Sequence, residues 1–520
     1  MYFTSNYFLL AIYPFTLVVF WLLQRFTSGP LALSWLALSS FLIYAWWDSS
    51  SVPLLIISVV TNYCLGEWIH RVQETAHRHK TLILSLGIAF NLLALAYYKY
   101  ATFLASITMS SLSISYEMTA ESIPLGISFL TFVQIAYLVD VSRQSAARTS
   151  FLHYSLLVIF FPKIIAGPIT RQKPMIAQLH ALEHPSPLIA AHVAEGVMVF
   201  GIGVFKKVVL ADHLSLIGDP VFAALSLGTE VSAAEAWIGI LAYSFQLYFD
   251  FSGYTDMAIG LAQTFGITLP QNFNSPYRAT SIIDFWRRWH LTFSSFLRDF
   301  LYIPLGGNRK GAFRQYVNLL ITMILGGLWH GASWTFVIWG TLHGLYLIVN
   351  HLWKKTNLAL SPWFSWALTF LSIVFAWGWF RVENVETGGR LCTSLIGHHG
   401  LFPEGMSLWT FLQAMQKPSP TFEYLSSVFH DIGLAVSLGH RTFYLSDILF
   451  SDITLTVGLF VIAAAISFFC PTTESWIKPQ RQPQSTMLTF RRAILIGLLF
   501  YAAFLASINA EQGSFIYRQF

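Results

Sequence analysis

Chemistry in this chain would start from two histidines, one in an apolar run and one in a basic stretch, and from two aspartates in a stretch otherwise free of charge. His330 follows Gly326, Gly327, Leu328 and Trp329 and precedes Gly331, with Trp334 close behind. An imidazole can take a proton from a hydroxyl or hand one back. In an apolar run it is costly unless it is used or well satisfied. The glycines and tryptophans around His330 favour a site over a structural histidine. His290 lies in a basic, aromatic stretch forty residues earlier. Asp250 and Asp256 fall in QLYFDFSGYTDMA (246–258). Carboxylates in such surroundings need partners, so bracing of arginines or histidines across a bundle is expected, with an ion pathway as the other reading. His343, between Gly340 and Gly344, has the spacing of close helix packing and is read as structural. Cys64, Cys392 and Cys470 lie far apart with no CxxC pair, so neither a zinc site nor a disulfide framework is indicated, and no metal ligand set is expected. Buried, unreactive thiols are the ordinary expectation.

Residues 278–314 hold Arg278, Arg287, Arg288, Arg298, Arg309, Lys310 and Arg314 against only Asp284 and Asp299. Such a block fits a positive-inside bias with attraction to anionic lipid. It equally fits a docking surface for an anionic thioester donor. Ser281 with Asp284 three residues on starts a capping box, and Pro304, Gly306 and Gly307 supply a stop, which predicts one helix over 281–303. Phe285, Trp289, Phe293, Phe296 and Phe300 form one apolar stripe on it, Asp284 and Arg288 have i, i+4 spacing, and His290 falls on the border of the two faces. Such a helix lies at a membrane interface. The next apolar run, 315–349, would reach about 52 Å as one straight helix, so it is expected to break around its glycines beside His330.

The elements that must position these residues belong to a membrane. The 520-residue chain is 55% hydrophobic and only 11% charged, with mean hydropathy +0.58. Ordinary globular chains carry about 25% charge, so most of this surface meets something other than water. Apolar stretches of span length recur near 7–23, 31–47, 52–68, 81–97, 122–140, 192–210, 233–249, 364–380, 452–470 and 493–508. The first is followed by Gln24, Arg25 and Phe26 rather than a cleavage site, and reads as an anchor. Basic residues alternate between the first five spans as expected for an N-terminus outside the cytoplasm. Lys99 dissents, and snorkelling to the interface beside Tyr98 and Tyr100 would accommodate it. The stretch 153–169, interrupted by Pro162, Lys163 and Gly167, reads as re-entrant because both its ends look cytoplasmic. Residues 394–446 form a mixed, external segment, and 471–491 a cytoplasmic loop. No soluble domain stands out: 1–150 read as N-terminal spans, 151–350 as the core and 351–520 as C-terminal spans of a single unit.

Several strings then resemble the membrane-bound O-acyltransferase family, most nearly its bacterial polysaccharide-acetylating branch, typified by the alginate O-acetylation membrane protein. They are FFPKIIAGPITR (160–171), QLYFDFSGYTDMAIGLAQTFGI (246–267), NFNSPY (272–277), SIIDFWRRWHLTFSSFLRDFLYIPLGGNRKG (281–311) and GGLWHGASWTFVIWGTLHG (326–344). The resemblance is dense over 160–345 and looser elsewhere. It implies an all-α polytopic bundle of about 10–12 transmembrane helices, with re-entrant and interfacial helices around a central funnel. His330 matches the family's essential histidine and His290 the second recurrent one. Arg287, Arg288, Arg298, Asp250, Asp256, Asn272 and Trp329 are the candidates for substrate or donor binding.

The activity implied is acetyl transfer in a bacterial inner membrane. The donor would be acetyl-CoA or an acyl-carrier thioester from the cytosol, and no tightly bound cofactor is expected. The acceptor would be an exported polysaccharide such as alginate or cellulose. A periplasmic esterase-like (SGNH) acetyltransferase and the polysaccharide export machinery are the implied partners, beside membrane lipids and without nucleic acid. D-alanyl or other acyl transfer to an envelope polymer is the alternative within the family. A transporter or channel, with Asp250, Asp256 and His330 along a polar path, and a scaffold anchoring a secreted transferase are the rivals outside it.

Overall fold

A computed structural model describes residues 3–72, 77–112, 123–144, 148–184, 190–402, 435–438, 441–444, 452–477 and 497. Among these residues the chain is helical apart from one antiparallel hairpin, β1 (Ala435–Leu438) and β2 (Arg441–Tyr444). Five helical stretches are long and apolar enough to cross a membrane: Phe8–Phe26, Gly29–Trp47, Val52–Val72, Arg78–Met109 and Pro362–Arg381. Their outward faces carry Leu10, Leu42, Ile57, Leu93 and Leu368, half or more exposed, as lipid-facing surface requires. The span expected at 493–508 lies almost wholly outside the described residues, as does most of 394–446.

The N-terminal spans are α1 (Tyr13–Phe26), α2 (Gly29–Trp47), α3 (Val52–Val72) and α4 (His77–Leu95). The last continues through a π-turn, Ala96–Tyr100, into α5 (Ala101–Ser111), so residues expected as loop extend the helix. Next come α6 (Ile127–Ser142), buried on nearly every side, and α7 (Phe151–Ile159). Residues 160–170 leave the helix yet stay buried throughout, before α8 (Gln172–Ala181). That is the burial a re-entrant backbone needs. Lys163 holds it together by donating to the Leu157 carbonyl and, at 2.7 Å, to Thr170 Oγ1.

The centre is built on α11 (Ala233–Thr264), opened by a Ser232/Glu235 capping box and packed against α9 (Ala190–Val204) and α10 (Asp212–Ser226). Gly203 and Gly253 make the α9–α11 crossing close: a Cβ on Gly203 would lie 2.6 Å from the Gly253 carbonyl oxygen. The short α12 (Ile282–Trp286) and α13 (Leu291–Leu297) follow, then α14 (Gly311–His330), α15 (Trp334–Lys355), α16 (Pro362–Arg381) and α17 (Val385–Leu395). Beyond the hairpin, α18 (Asp452–Phe469) packs on α11, and α19 (Thr473–Ile477) seats Ile477 against Val199 and Ile202 where a loop was expected.

Two thiols also depart from expectation. Cys64 and Cys470 are exposed and only Cys392 is partly covered. Cys64 lies on α3, whose apolar outer face needs no protein cover.

Candidate functional site

The run from 281 to 303 is not one helix. After α12 the chain turns through Arg287–His290, resumes as α13 and ends in a π-turn, Arg298–Tyr302. The Ser281 cap forms as its spacing indicates, Ser281 Oγ accepting from the Asp284 amide at 3.2 Å. The interruption is stabilised from outside: Leu291 N donates to Asn272 O at 3.0 Å, and Asn274 N to Arg288 O at 2.9 Å. His290 itself adopts φ +43° in the left-handed region, strained for a residue with a Cβ. The turn therefore buries His290 completely instead of leaving it on the border of two faces. Local spacing could not indicate this, because the bonds that break the helix come from residues 272–274.

The 315–349 run does break beside His330. The helix α14 ends on His330, and Gly331–Ser333 carry the chain into α15. Gly326 and Gly327 stay inside α14 and serve a different end. A Cβ on Gly327 would lie 2.2 Å from the Phe336 carbonyl oxygen, and one on Gly340 would lie 2.4 Å from that of Met323. The two helices thus close into an α-hairpin with His330 at its tip. The packing spacing seen around His343 belongs to this contact, and His343 is buried among Trp339, Trp286 and Trp377.

The two turns bring His290 and His330 onto one pair of aromatic rings. Phe293 lies 4.9 Å from the His290 ring and 5.3 Å from that of His330, centroid to centroid. Trp329 stacks on Phe293 at 4.5 Å and lies 6.2 Å from His290. Trp339 and Phe380, each 5.2 Å from the His330 ring, close the other side. Both nitrogens of His290 and the indole N–H groups of Trp329 and Trp339 are buried and have no hydrogen-bond partner among the described residues. Unsatisfied polar atoms are rare in folded chains, and their concentration here marks a place suited to a polar ligand.

A further residue holds this place, and snorkelling does not describe it. Lys99 is buried, and its ammonium donates to the carbonyls of Trp329 at 2.6 Å and His330 at 3.0 Å and to Ser128 Oγ at 3.3 Å. Tyr100 donates to the Leu328 carbonyl at 2.6 Å. The last carbonyls of a helix have no partner within it, and a cation suits that negative end. Lys99 and Tyr100 therefore cap the end of α14, at His330. The available signal was a lone lysine deep within an apolar helix, which is expensive unless it has such work.

The other candidates scatter. Asn272 is buried beside the His290 turn, its Oδ1 accepting from Thr292 Oγ1 at 2.6 Å. Asp250 pairs with Lys207 at 2.6 Å and Asp256 with Lys206 at 2.6 Å, so lysines of the 205–211 π-turn are their partners rather than arginines or histidines. Arg288 pairs with Asp284 at 2.9 Å and Arg298 with Asp299 at 2.7 Å, while Arg287 is exposed. Behind α13 opens a cavity of about 510 Å³ lined by Ile169, Arg171, Gln178, Leu291, Ser295 and Phe296, among others. Arg171 at its wall pairs with Asp299 at 2.5 Å and covers the Phe300 ring at 4.4 Å.

Residues 41–382 match the sequence model of MBOAT, the membrane-bound O-acyltransferase family. The chain is 39% identical over 429 residues to the peptidoglycan O-acetyltransferase of Helicobacter pylori, covering 77% of this chain and 80% of that protein. It is 39% identical over 399 residues to a probable alginate O-acetylase, AlgI, of Pseudomonas putida, covering 75% and 79%. The corresponding protein of Pseudomonas aeruginosa is 40% identical over 400 residues, covering 75% and 74%.

Proposed function

The chain belongs to the membrane-bound O-acyltransferase family and is an acyltransferase; from that premise we propose that it carries an acetyl group from a cytosolic thioester across the bacterial inner membrane for O-acetylation of an envelope polysaccharide. The observation that carries this reading is the convergence of His290 and His330 on the Phe293–Trp329 pair, among buried N–H groups without partners. Relatives named for peptidoglycan and for alginate share one kind of acceptor, a sugar hydroxyl.

In this reading the donor, acetyl-CoA or an acyl-carrier thioester, approaches by the cavity behind α13, with Arg287 and Arg298 meeting its phosphates. The acceptor hydroxyl attacks the acetyl carbonyl carbon while His330 accepts its proton. The oxyanion that develops is met by N–H donors already buried there, His290 and the indoles among them. The C–S bond then breaks, and the thiolate leaves and takes up a proton. The N-terminus lies on the periplasmic side, and a periplasmic esterase-like partner with a serine hydroxyl completes delivery to the polymer. Asp250 and Asp256, held in ion pairs, brace the bundle rather than touch the donor.

Purified protein given acetyl-labelled thioester in detergent tests this. Turnover that vanishes with His330→Ala, in protein that still folds, is the expected result. Full turnover in that variant overturns the assignment. Uptake of label into vesicles without thioester cleavage would instead favour transport. Digests of isolated peptidoglycan and of soluble exopolysaccharide from cells lacking the gene identify the polymer that loses acetyl groups.

A further inference from the structure

Away from the histidine pair, we propose that His153, His180 and Glu183 form a binding site for a divalent transition cation, zinc being the best match. This inference does not depend on the acyl-transfer reading. His153 lies in the first turn of α7, where Ser150 Oγ accepts from its amide, and its side chain is buried to 1% exposure. Its Nε2 stands 3.2 Å from Glu183 Oε1. The other carboxylate oxygen, Oε2, stands 3.1 Å from His180 Nδ1 in the last turn of α8. The two imidazoles meet nearly at right angles, 4.5 Å between centroids, and the three donor atoms all lie within 4.8 Å of one another.

The second observation is the state of His153. Among the described residues neither ring nitrogen finds a hydrogen-bond partner, although the imidazole is buried and faces a carboxylate. A simple imidazole–carboxylate hydrogen bond would satisfy one of them, and the geometry does not supply it. A cation bound to Nε2 would.

The donor set selects the ion. Two imidazoles and one carboxylate, with a fourth position left to water, are a borderline-soft set that suits zinc, whereas calcium and magnesium take oxygen ligands. Zinc–ligand lengths of about 2.0–2.2 Å place tetrahedral donors roughly 3.4 Å apart. The spacings here need only small ring rotations to reach that. The turn carrying Glu183 is pinned as well, since Gln24 Nε2 donates to the Leu182 carbonyl at 2.7 Å. A bound ion would tie the start of α7 to the end of α8. Those helices bracket residues 160–170, and the end of that segment together with α8 carries Ile169, Arg171 and Gln178 to the wall of the cavity behind α13.

The test uses the full chain purified through a tag without histidines, equilibrated with zinc chloride, desalted and assayed for metal by mass spectrometry. One zinc per chain, absent from His180→Ala and from Glu183→Gln, is expected. His180 is about half exposed, so its removal leaves the fold intact. Cobalt-loaded wild type should show the visible absorption of a tetrahedral site, and neither variant should. Wild type without metal after loading overturns the proposal. Equal metal in wild type and His180→Ala means an adventitious ion only, and overturns it too.

Discussion

Replacing His330 with alanine should lower the rate of acetyl transfer by about 10²–10⁴-fold, the usual contribution of a general base, and should also lower the thermal midpoint in detergent, because the buried ring leaves a cavity. Single-turnover transfer from labelled thioester measures the first and a melting curve the second. His290→Asn separates chemistry from backbone strain, because asparagine tolerates the left-handed conformation at φ +43°. Activity should fall with stability unchanged. Lys99→Met should do something different. It strands the Trp329 and His330 carbonyls, at about 1–3 kcal/mol for each group left without a partner. The midpoint should drop, and kcat should fall with KM for the thioester unaltered, since Lys99 acts through the placement of His330. At this scale the sequence singles out candidates and is silent about their company. His330 and His290 stood out by type and neighbours, yet nothing near Lys99 in the chain points to residues 329 and 330. That contact joins segments far apart in sequence, and spacing rules reach only a few turns.

The α14–α15 hairpin shows how much of an element is legible and where legibility stops. Length required a break in 315–349, and the break came at Gly331, next to His330. The roles of Gly326 and Gly327 were misplaced, because a glycine that permits close packing and one that ends a helix look alike in a sequence. Gly340→Ala puts a Cβ 2.4 Å from the Met323 carbonyl oxygen, which neither backbone can yield cheaply. A loss of about 1–3 kcal/mol is expected from such overpacking, read as a lower midpoint. The helix expected over 281–303 failed for the complementary reason. Its caps and apolar stripe are present, but Asn272 and Asn274 offer its backbone better partners at the His290 turn.

For the whole molecule, composition alone announced a membrane protein, and the five apolar stretches that qualify as spans agree with it. Two consequences can be measured at this scale. If the exposed arginines at 287 and 298 recruit a phosphate-bearing donor, raising salt from about 0.05 to 0.5 M should raise its KM several-fold with little effect on kcat, since screening weakens exposed charges. Arg287→Ala with Arg298→Ala should flatten that dependence. Breaking the buried pair of Lys207 with Asp250 by Asp250→Asn should cost about 3 kcal/mol, at the lower end for such pairs because Asp212 remains 2.8 Å from the lysine. The strings that carry the family resemblance crowd between 160 and 345, and it would be natural to treat that portion as a transplantable module. The lysine that caps the His330 helix lies outside it, in the long helix Arg78–Met109. A chimera that grafts the motif-rich portion of one homologue onto the leading spans of another inherits the histidine at the tip of the α14–α15 hairpin on a helix whose end has lost its anchor, unless the donor's 78–109 helix travels with it.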